Sequence, residues 1–493
     1  MSHPRLLSQP AHPRPKKLVI CCDGTWQSST SLDPEHGTPS NVARLSRIIA
    51  NAGNTDGVDW QQVVYYDAGG LLENVIEAYN FIVNNYSPGD QLFFFGFSRG
   101  AFTVRSAAGL VTELGVIRPS SFDRFLALYA KYIEAGEFGE IFSKTQPWKA
   151  FVEEKQTSGN GRGHAVEQGK DVVVQVIGVW DTVGAMGIPD IGHIIKMDNS
   201  FWRKQYEFHD TDLNPSVQHA FQALALDEQR ASFAPSIWHL APTNQTTELV
   251  QAWFPGAHSN VGGGSSARDA EGKLGTYEQL SYISYVWMLD RVRPYLALDS
   301  DELEAQKEVI GGVIQCAPDE LAEKDTRDPA TKGWIGAGLE FLKGRASSMR
   351  DMVYGYAGGT IVDSHTFGYD LLAFPKPREP LDLTAQEKEK GVRTGEVVHP
   401  SVWFRQESQR RDGQVEEEDI YQPIAMKKWT RETDGETGKS RWTKRDNEGR
   451  IVKSMPEFEI GRMPAHDSLE RWLIDRSWCD TVHERVKNEW KSS

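Results

Sequence analysis

The sequence predicts a three-layer α/β fold built on a mainly parallel sheet, and three observations carry that prediction. Residues 92–95 form an unbroken apolar run that ends in Gly96-Phe97-Ser98-Arg99-Gly100 and passes into the Ala-, Gly- and Leu-rich stretch 101–114. A strand buried on both faces shows no alternation and reads as such a run. Strand-like and helix-like segments alternate regularly from residue 17 to residue 114, the order that produces a parallel sheet with helices on both faces. Two further apolar strands, 171–180 and 247–254, run into short loops that carry Asp181 and His258.

In chain order, residues 1–16 carry proline and basic residues but no apolar core, and read as a flexible arm. Residues 17–22 are a buried strand, with Asp23-Gly24-Thr25-Trp26 as the loop at its end. Residues 41–50 are helical, with Val42, Leu45 and Ile49 on one face. The strand 63–66 closes with Asp67-Ala68-Gly69-Gly70, and 74–86 is a helix facing inward through Val75, Tyr79 and Ile82. Pro88-Gly89-Asp90 turns the chain into the strand before Ser98. Segment 120–170 is mixed and ends in a polar loop, 157–169, suited to an insertion over the site. After the strand 171–180 come Asp181-Thr182-Val183-Gly184. Asn214-Pro215 reads as a helix start, a capping side chain followed by proline, with Val217, Ala220, Phe221 and Leu224 as the apolar face. The strand 247–254 leads through Pro255-Gly256-Ala257-His258-Ser259-Asn260-Val261 to three glycines and a helix at 277–289. Residues 301–309 form an acidic helix capped by Ser300. The stretch 334–356 mixes Trp334, Ile335, Leu339, Phe341 and Leu342 with Lys343, Arg345 and Arg350, the pattern of a helix that covers a site and touches lipid. In the charged segment 386–460, Asp434-Gly435 lies between Trp429 and Trp442 as a hairpin turn, and Asn447-Glu448-Gly449 marks a second turn. The resulting division is an arm at 1–16, a catalytic domain with capping insertions at 17–385, and a C-terminal accessory region at 386–493.

Composition narrows the function. The 493 residues carry 15 Trp, 15 Tyr and 21 Phe, enough aromatic side chains for a large core. A net charge of −15 argues against nucleic acid as a partner and against broad adhesion to anionic membrane, leaving only local surface contact. The four cysteines, Cys21, Cys22, Cys316 and Cys479, show no paired metal spacing and fit reduced structural thiols. No signal-like apolar segment and no apolar run of transmembrane length is visible, so the expected address is cytoplasmic.

The motif Gly96-Phe97-Ser98-Arg99-Gly100 fits a nucleophile elbow, a strained strand-to-helix turn that exposes a serine. A serine nucleophile needs a base and an acid to orient it. Ser98, Asp181 and His258 follow strand ends, where a parallel sheet gathers such groups, and their chain order is that of α/β-hydrolases. His399 is the second candidate base, and His365 and His466 rank below it. The bland alternatives are a turn cap for Asp181 and a backbone-bonded loop histidine for His258. For the oxyanion, one donor is the N–H of Arg99 and the other comes from Gly24 or Thr25. Gly96 and Gly100 make room at the elbow, and Asp23 braces the Gly24 loop or forms a local Asx-turn. Asp23-Gly24-Thr25 is not a haloacid-dehalogenase motif, because Cys21 stands where the nucleophilic aspartate belongs. The chemistry calls for no metal and no organic cofactor.

Four pieces together, Cys-Asp-Gly-Thr-Trp at 22–26, Gly-Phe-Ser-Arg-Gly-Ala-Phe at 96–102, Val-Trp-Asp-Thr-Val-Gly at 179–184 and Phe-Pro-Gly-Ala-His-Ser-Asn-Val-Gly-Gly-Gly at 254–264, resemble a known family. It is the α/β-hydrolase family, formerly a domain of unknown function, that includes type VI secretion phospholipase effectors of the Tle kind. The resemblance implies a serine lipase or esterase acting on lipid or phospholipid acyl esters, with Ser98, Asp181 and His258 as triad. Two positions depart from the family pattern. Asn260 stands where an aspartate is usual, and the link 69–73 is short. A catalytically silent binding protein and a peptidase on the same fold are the competing readings.

Overall fold

The structure, a computed structural model, describes residues 14–24, 38–68, 72–137, 141–153, 172–183, 212–264, 277–314, 356–359, 361, 376–411, 420–460 and 468–476. The expected loop 157–169, Thr25, Gly184, residues 69–71 of the short link, His365, His466, and 334–355 of the expected covering helix lie outside the described residues.

The strands are β1 (Lys16–Cys22), β2 (Ala52–Thr55), β3 (Val58–Asp67), β4 (Gln91–Phe97), β5 (Val173–Trp180), β6 (Val217–Ala225), β7 (Glu248–Phe254), β8 (Glu396–Val398), β9 (Trp429–Thr433), β10 (Ser440–Arg445) and β11 (Ile451–Pro456). The helices are α1 (Asn41–Ile48), α2 (Leu72–Asn85), α3 (Arg99–Leu114), α4 (Phe122–Glu137), α5 (Gln146–Glu153), α6 (His258–Gly262), α7 (Tyr277–Val292), α8 (Ser300–Ile314), α9 (Ala385–Lys390), α10 (Ser401–Arg411) and α11 (Leu469–Arg476).

Eight strands make the central sheet in the order β2-β3-β1-β4-β5-β6-β7-β8. Only β2 and β3 pair antiparallel; every other neighbouring pair is parallel. Alternate side chains leave a strand on opposite faces, and here both faces are covered. Val19, Cys21, Phe93 and Phe95 pack on one side with Ile283, Val286 and Trp287 of α7. Leu18, Ile20, Leu92 and Phe94 pack on the other with Tyr79 of α2 and Val104 of α3. Cys21 and Cys22 thus point to opposite faces as buried free thiols, and their burial raises both above the ordinary thiol range. Each fully buried Phe contributes about 1.5–3 kcal/mol by transfer from water.

Three expectations are corrected. Residues 217–225 form strand β6 in the sheet's interior, not a helix. Gln218, His219 and Gln222 break the apolar run of β6, so positions 217, 220, 221 and 224 are left at helical spacing and mimic a helical stripe. Asn214 still caps locally, but as a turn, with Oδ1 accepting from Ser216 N–H at 2.9 Å. At α8, Asp299 and not Ser300 is the cap, accepting from the N–H groups of Asp301 and Glu302 at 3.0 Å each. The hairpin β2–β3 is an addition to the sequence reading. Its turn is Asp56-Gly57, both at positive φ (53° and 76°), while its first strand is too polar to announce itself.

The β9–β10 and β10–β11 hairpins lie where the Asp434-Gly435 and Asn447-Gly449 turns predict them. Their sheet joins the central one where Phe458 N–H donates to Val398 O at 2.8 Å. Strand β8, beyond residue 385, is the eighth member of the central sheet, so that sheet draws on both sides of the boundary expected from composition. Among the described residues no helix is long and apolar enough to cross a membrane.

Candidate active site

Strand β4 ends against α3, and Ser98 sits between them at φ 58°, ψ −122°. A non-glycine residue there is strained by about 1–3 kcal/mol and persists only where its surroundings enforce it. The enforcement is close packing. A Cβ on Gly96 would lie 2.6 Å from Ala101 Cα, and one on Gly100 would lie 2.1 Å from Cys22 O, so the helix start can press against the ends of β1 and β4. Ser98 N–H donates to Trp180 O at 3.1 Å, which sets the elbow beside the end of β5.

Asp181 follows β5 directly, at φ 44°, fully buried. Its Oδ2 lies 2.5 Å from His258 Nδ1 and its Oδ1 accepts from Ala225 N–H at 3.0 Å. Arg378 grips the same carboxylate with both terminal nitrogens, Nη1 to Oδ1 at 2.5 Å and Nη2 to Oδ2 at 2.9 Å. Burial alone would push Asp181 up. The Arg378 guanidinium, then His258, reverse this and hold the carboxyl well below the ordinary carboxylate range. An ionised Asp181 only accepts, so His258 Nδ1 carries the proton and Nε2 is left as the basic nitrogen.

His258 opens the short helix α6, and its ring rests on Phe97, with centroids 4.7 Å apart, and edge-on to Phe233 at 4.9 Å. Phe97 directly precedes Ser98, so the His258 ring packs on the residue next to the serine, past the C-terminal ends of β4 and β7. Gly262 is needed here, because a Cβ would fall 1.9 Å from the Phe97 ring. Two anchors hold α6. Asn41 Nδ2 donates to Val261 O at 3.0 Å and to Ser281 O at 2.9 Å, and Glu228 Oε2 accepts from His258 N–H at 3.3 Å. Glu228 is buried and chelated by Arg230 through two nitrogens at 2.8 Å. Asn260 Oδ1 accepts from Ala257 N–H at 3.1 Å, closing the turn that presents His258. An aspartate would supply the same acceptor atom.

On the expected oxyanion side, Arg99 opens α3, where first-turn amides have no acceptor within the helix. A Cβ on Gly24 would stand 3.4 Å from Ser98 Cβ, so the β1 loop does approach the serine. The Gly24 N–H, however, donates to Asp23 Oδ1 at 2.8 Å. Asp23 is more than an Asx-turn. Its Oδ2 also accepts from Ser40 Oγ and from Tyr66 OH at 2.9 Å, and Ser40 caps α1. Burial raises Asp23 to about 6 against the lowering effect of these donors.

His399, the second candidate base, directly follows β8, so it too sits at the end of a strand of the central sheet. It is fully buried, between Phe254 and Phe458, and bonded to Ser401 and Glu470. Arg378 is the member of the site that carried no sequence signal. It stands in Lys376-Pro377-Arg378-Glu379-Pro380, where nothing in spacing or type points to a carboxylate 197 positions away. No group of three or more metal-ligating side chains occurs among the described residues.

The family profile described as the T6SS phospholipase effector Tle1-like catalytic domain matches residues 16–72 and 68–291, more than half of the chain. An uncharacterized protein of Saccharomyces cerevisiae, YEL023C, is 22% identical over 249 residues, which cover 44% of this chain and 32% of that protein. Among solved structures, the Tle1 effector bound to the VgrG spike of the type 6 secretion system aligns over 52% of both chains at 18% identity with a TM-score of 0.26. An uncharacterized protein from Pseudomonas aeruginosa aligns over 57% of this chain and 45% of its own at 14% identity, with a TM-score of 0.31. The chain therefore covers about a third of the length of the curated relative and about half of those two structures.

Proposed function

The chain belongs to the family of T6SS Tle1-like phospholipase effector catalytic domains, and on that premise we propose that it is a serine hydrolase cleaving acyl esters of phospholipids. The observation that carries the reading is the buried His258 Nδ1–Asp181 Oδ2 pair at 2.5 Å beside a serine held at positive φ. Ser98 Oγ attacks the ester carbonyl carbon while its proton passes to His258 Nε2. Asp181 stays ionised and stabilises the imidazolium. The tetrahedral oxyanion takes the Arg99 N–H, with the second donor expected from the loop after β1, where the Gly24 N–H is engaged by Asp23. His258 then protonates the departing alkoxide, leaving an acyl-Ser98 ester and a lysolipid alcohol. Water attacks the acyl carbon, giving its proton to His258, and the fatty acid leaves as Ser98 Oγ recovers that proton. No step needs a metal or organic cofactor. The catalytic domain is assigned to 17–385 together with β8, with the β9–β11 sheet as its accessory.

The test is fluorophosphonate labelling combined with turnover of phospholipid vesicles, monomeric esters and an amide substrate. Labelling at Ser98 and release of fatty acid from phospholipid are expected. Absence of label on folded protein would establish a silent binding module, and preference for the amide would establish a peptidase.

A further inference from the structure

We propose that Arg378 is a positioning residue of this hydrolytic site, fixing the Asp181 carboxylate that orients His258 and supplied by a segment beyond the part of the chain matched by the family profile. The proposal rests on the triad reading above. Each Asp181 oxygen has two donors. Oδ1 receives Ala225 N–H and Arg378 Nη1, and Oδ2 receives His258 Nδ1 and Arg378 Nη2. A carboxylate held at four points cannot turn about its own axis without breaking at least two of them. Two-pronged contacts of this kind set orientation as well as charge.

Arg378 is itself held. Nη1 also donates to Ala225 O at 2.8 Å and Nη2 to Phe233 O at 2.7 Å. Phe233 carries the ring that meets His258 edge-on, so one guanidinium ties together the acid, the end of β6 and the wall behind the histidine. The segment bearing it is pinned at both ends, by Lys376 N–H to Gln229 O at 2.9 Å and by Leu381 N–H to Glu396 Oε1 at 3.0 Å. Pro377 and Pro380 restrict the backbone between those pins. The charged or titratable groups around Asp181 are His258, Arg378 and, one contact further, the Glu228–Arg230 pair; Glu228 is engaged by Arg230 and by the His258 backbone. Arg378 is therefore the cation that pairs with Asp181 among the described residues. A lysine there would keep the charge but cannot reach two carboxylate oxygens and two carbonyls at once.

The experiment compares Arg378→Ala, Arg378→Lys and Ser98→Ala on a monomeric ester, with the His258 Nδ1 proton followed by NMR and assigned by its loss in His258→Ala. Arg378→Ala should lower kcat about a hundredfold with KM little changed, the size expected when a catalytic group is misplaced by about an ångström. Added guanidinium should enter the vacated space and restore both rate and the downfield proton signal. Arg378→Lys should fall between Arg378→Ala and wild type. An unchanged downfield signal in the Arg378 variants, or activity lost only in proportion to unfolded protein with no guanidinium rescue, overturns the proposal. If Arg378→Ala does not fold, Arg378→Lys decides alone, and wild-type kcat with an unshifted proton signal is the overturning result. Full activity in Ser98→Ala would sink the triad reading, while the proton signal still reports on Arg378.

Discussion

Two buried histidine–acid pairs lie past the C-terminal ends of central-sheet strands, and they differ in almost everything but residue type. In one, His258 turns Nδ1 to an Arg378-gripped Asp181, and its ring packs on Phe97, the residue before Ser98. In the other, Ser401 N–H and Oγ both lie on His399 Nδ1, at 3.2 and 2.8 Å, so Nε2 donates to Glu470 at 2.9 Å. The first retains some access, with Ser98 9% and His258 6% exposed; the second is sealed, with His399 and Ser401 at 0% and Glu470 at 1%. Burial lowers His399 to about 3 and raises Glu470 well above the carboxylate range, both shifts favouring the neutral forms. Residue types alone do not make a catalytic group. The first pair has a counter-cation for its acid, whereas the second fastens α11 and the start of α10 to the end of β8.

The largest expected contrast is between the serines. Ser98→Ala should remove several orders of magnitude of ester turnover, about 10⁴-fold or more, with an unchanged melting curve. Ser401→Ala should leave kcat per folded molecule within about twofold, since its hydroxyl is a buried hydrogen bond worth about 1 kcal/mol. Residual activity in Ser98→Ala within tenfold of wild type would undo the contrast.

The histidines sharpen it next. His258→Ala should cost nearly as much as Ser98→Ala, and the double variant little more, because such groups act as a unit. His399→Ala should instead lower stability by about 2 kcal/mol or more, by leaving Glu470 without its donor, while kcat stays near wild type. An inactive but stable His399→Ala would exchange the two roles.

A smaller effect lies in the pH dependence of folding. His399 is depressed in the folded state, so its contribution is complete above its unfolded pKa of 6.5 and is lost as pH falls toward about 3. Glu470 is raised in the folded state by burial, so its own contribution runs the opposite way, but it is common to wild type and His399→Gln and drops out of their difference. The stability advantage of wild type over His399→Gln, read from urea midpoints, should shrink by about 1.4 kcal/mol per pH unit below 6.5. A constant advantage from pH 7 to pH 5 would show that His399 is charged when folded.

The smallest expected effect is at Asn260. Asn260→Asp keeps the acceptor for Ala257 N–H, so kcat/KM should change by less than about threefold. A tenfold rise would mean that the missing carboxylate limits catalysis.

The sequence alone determined the β1, β4, β5 and β7 strands, the elbow at Ser98 and the loops carrying Asp181 and His258. Each rests on local physics: a doubly buried strand is mostly apolar, and a strained turn against a helix start needs Gly96 and Gly100. The same physics misread 217–225, because Gln218, His219 and Gln222 leave its apolar residues at helical spacing, and only the neighbours β5 and β7 decide for a strand. Only the tertiary structure decided which histidine faces the acid, since His258 and His399 both follow strands of the central sheet and differ in their surroundings. It also decided that Gly24 N–H is taken by Asp23, that β8 completes the sheet from beyond residue 385, and that Arg378 reaches Asp181 across 197 positions. A guanidinium recruited over that distance has no periodicity and no motif. Its role exists only once β5, β6 and the segment at 376–381 are packed together.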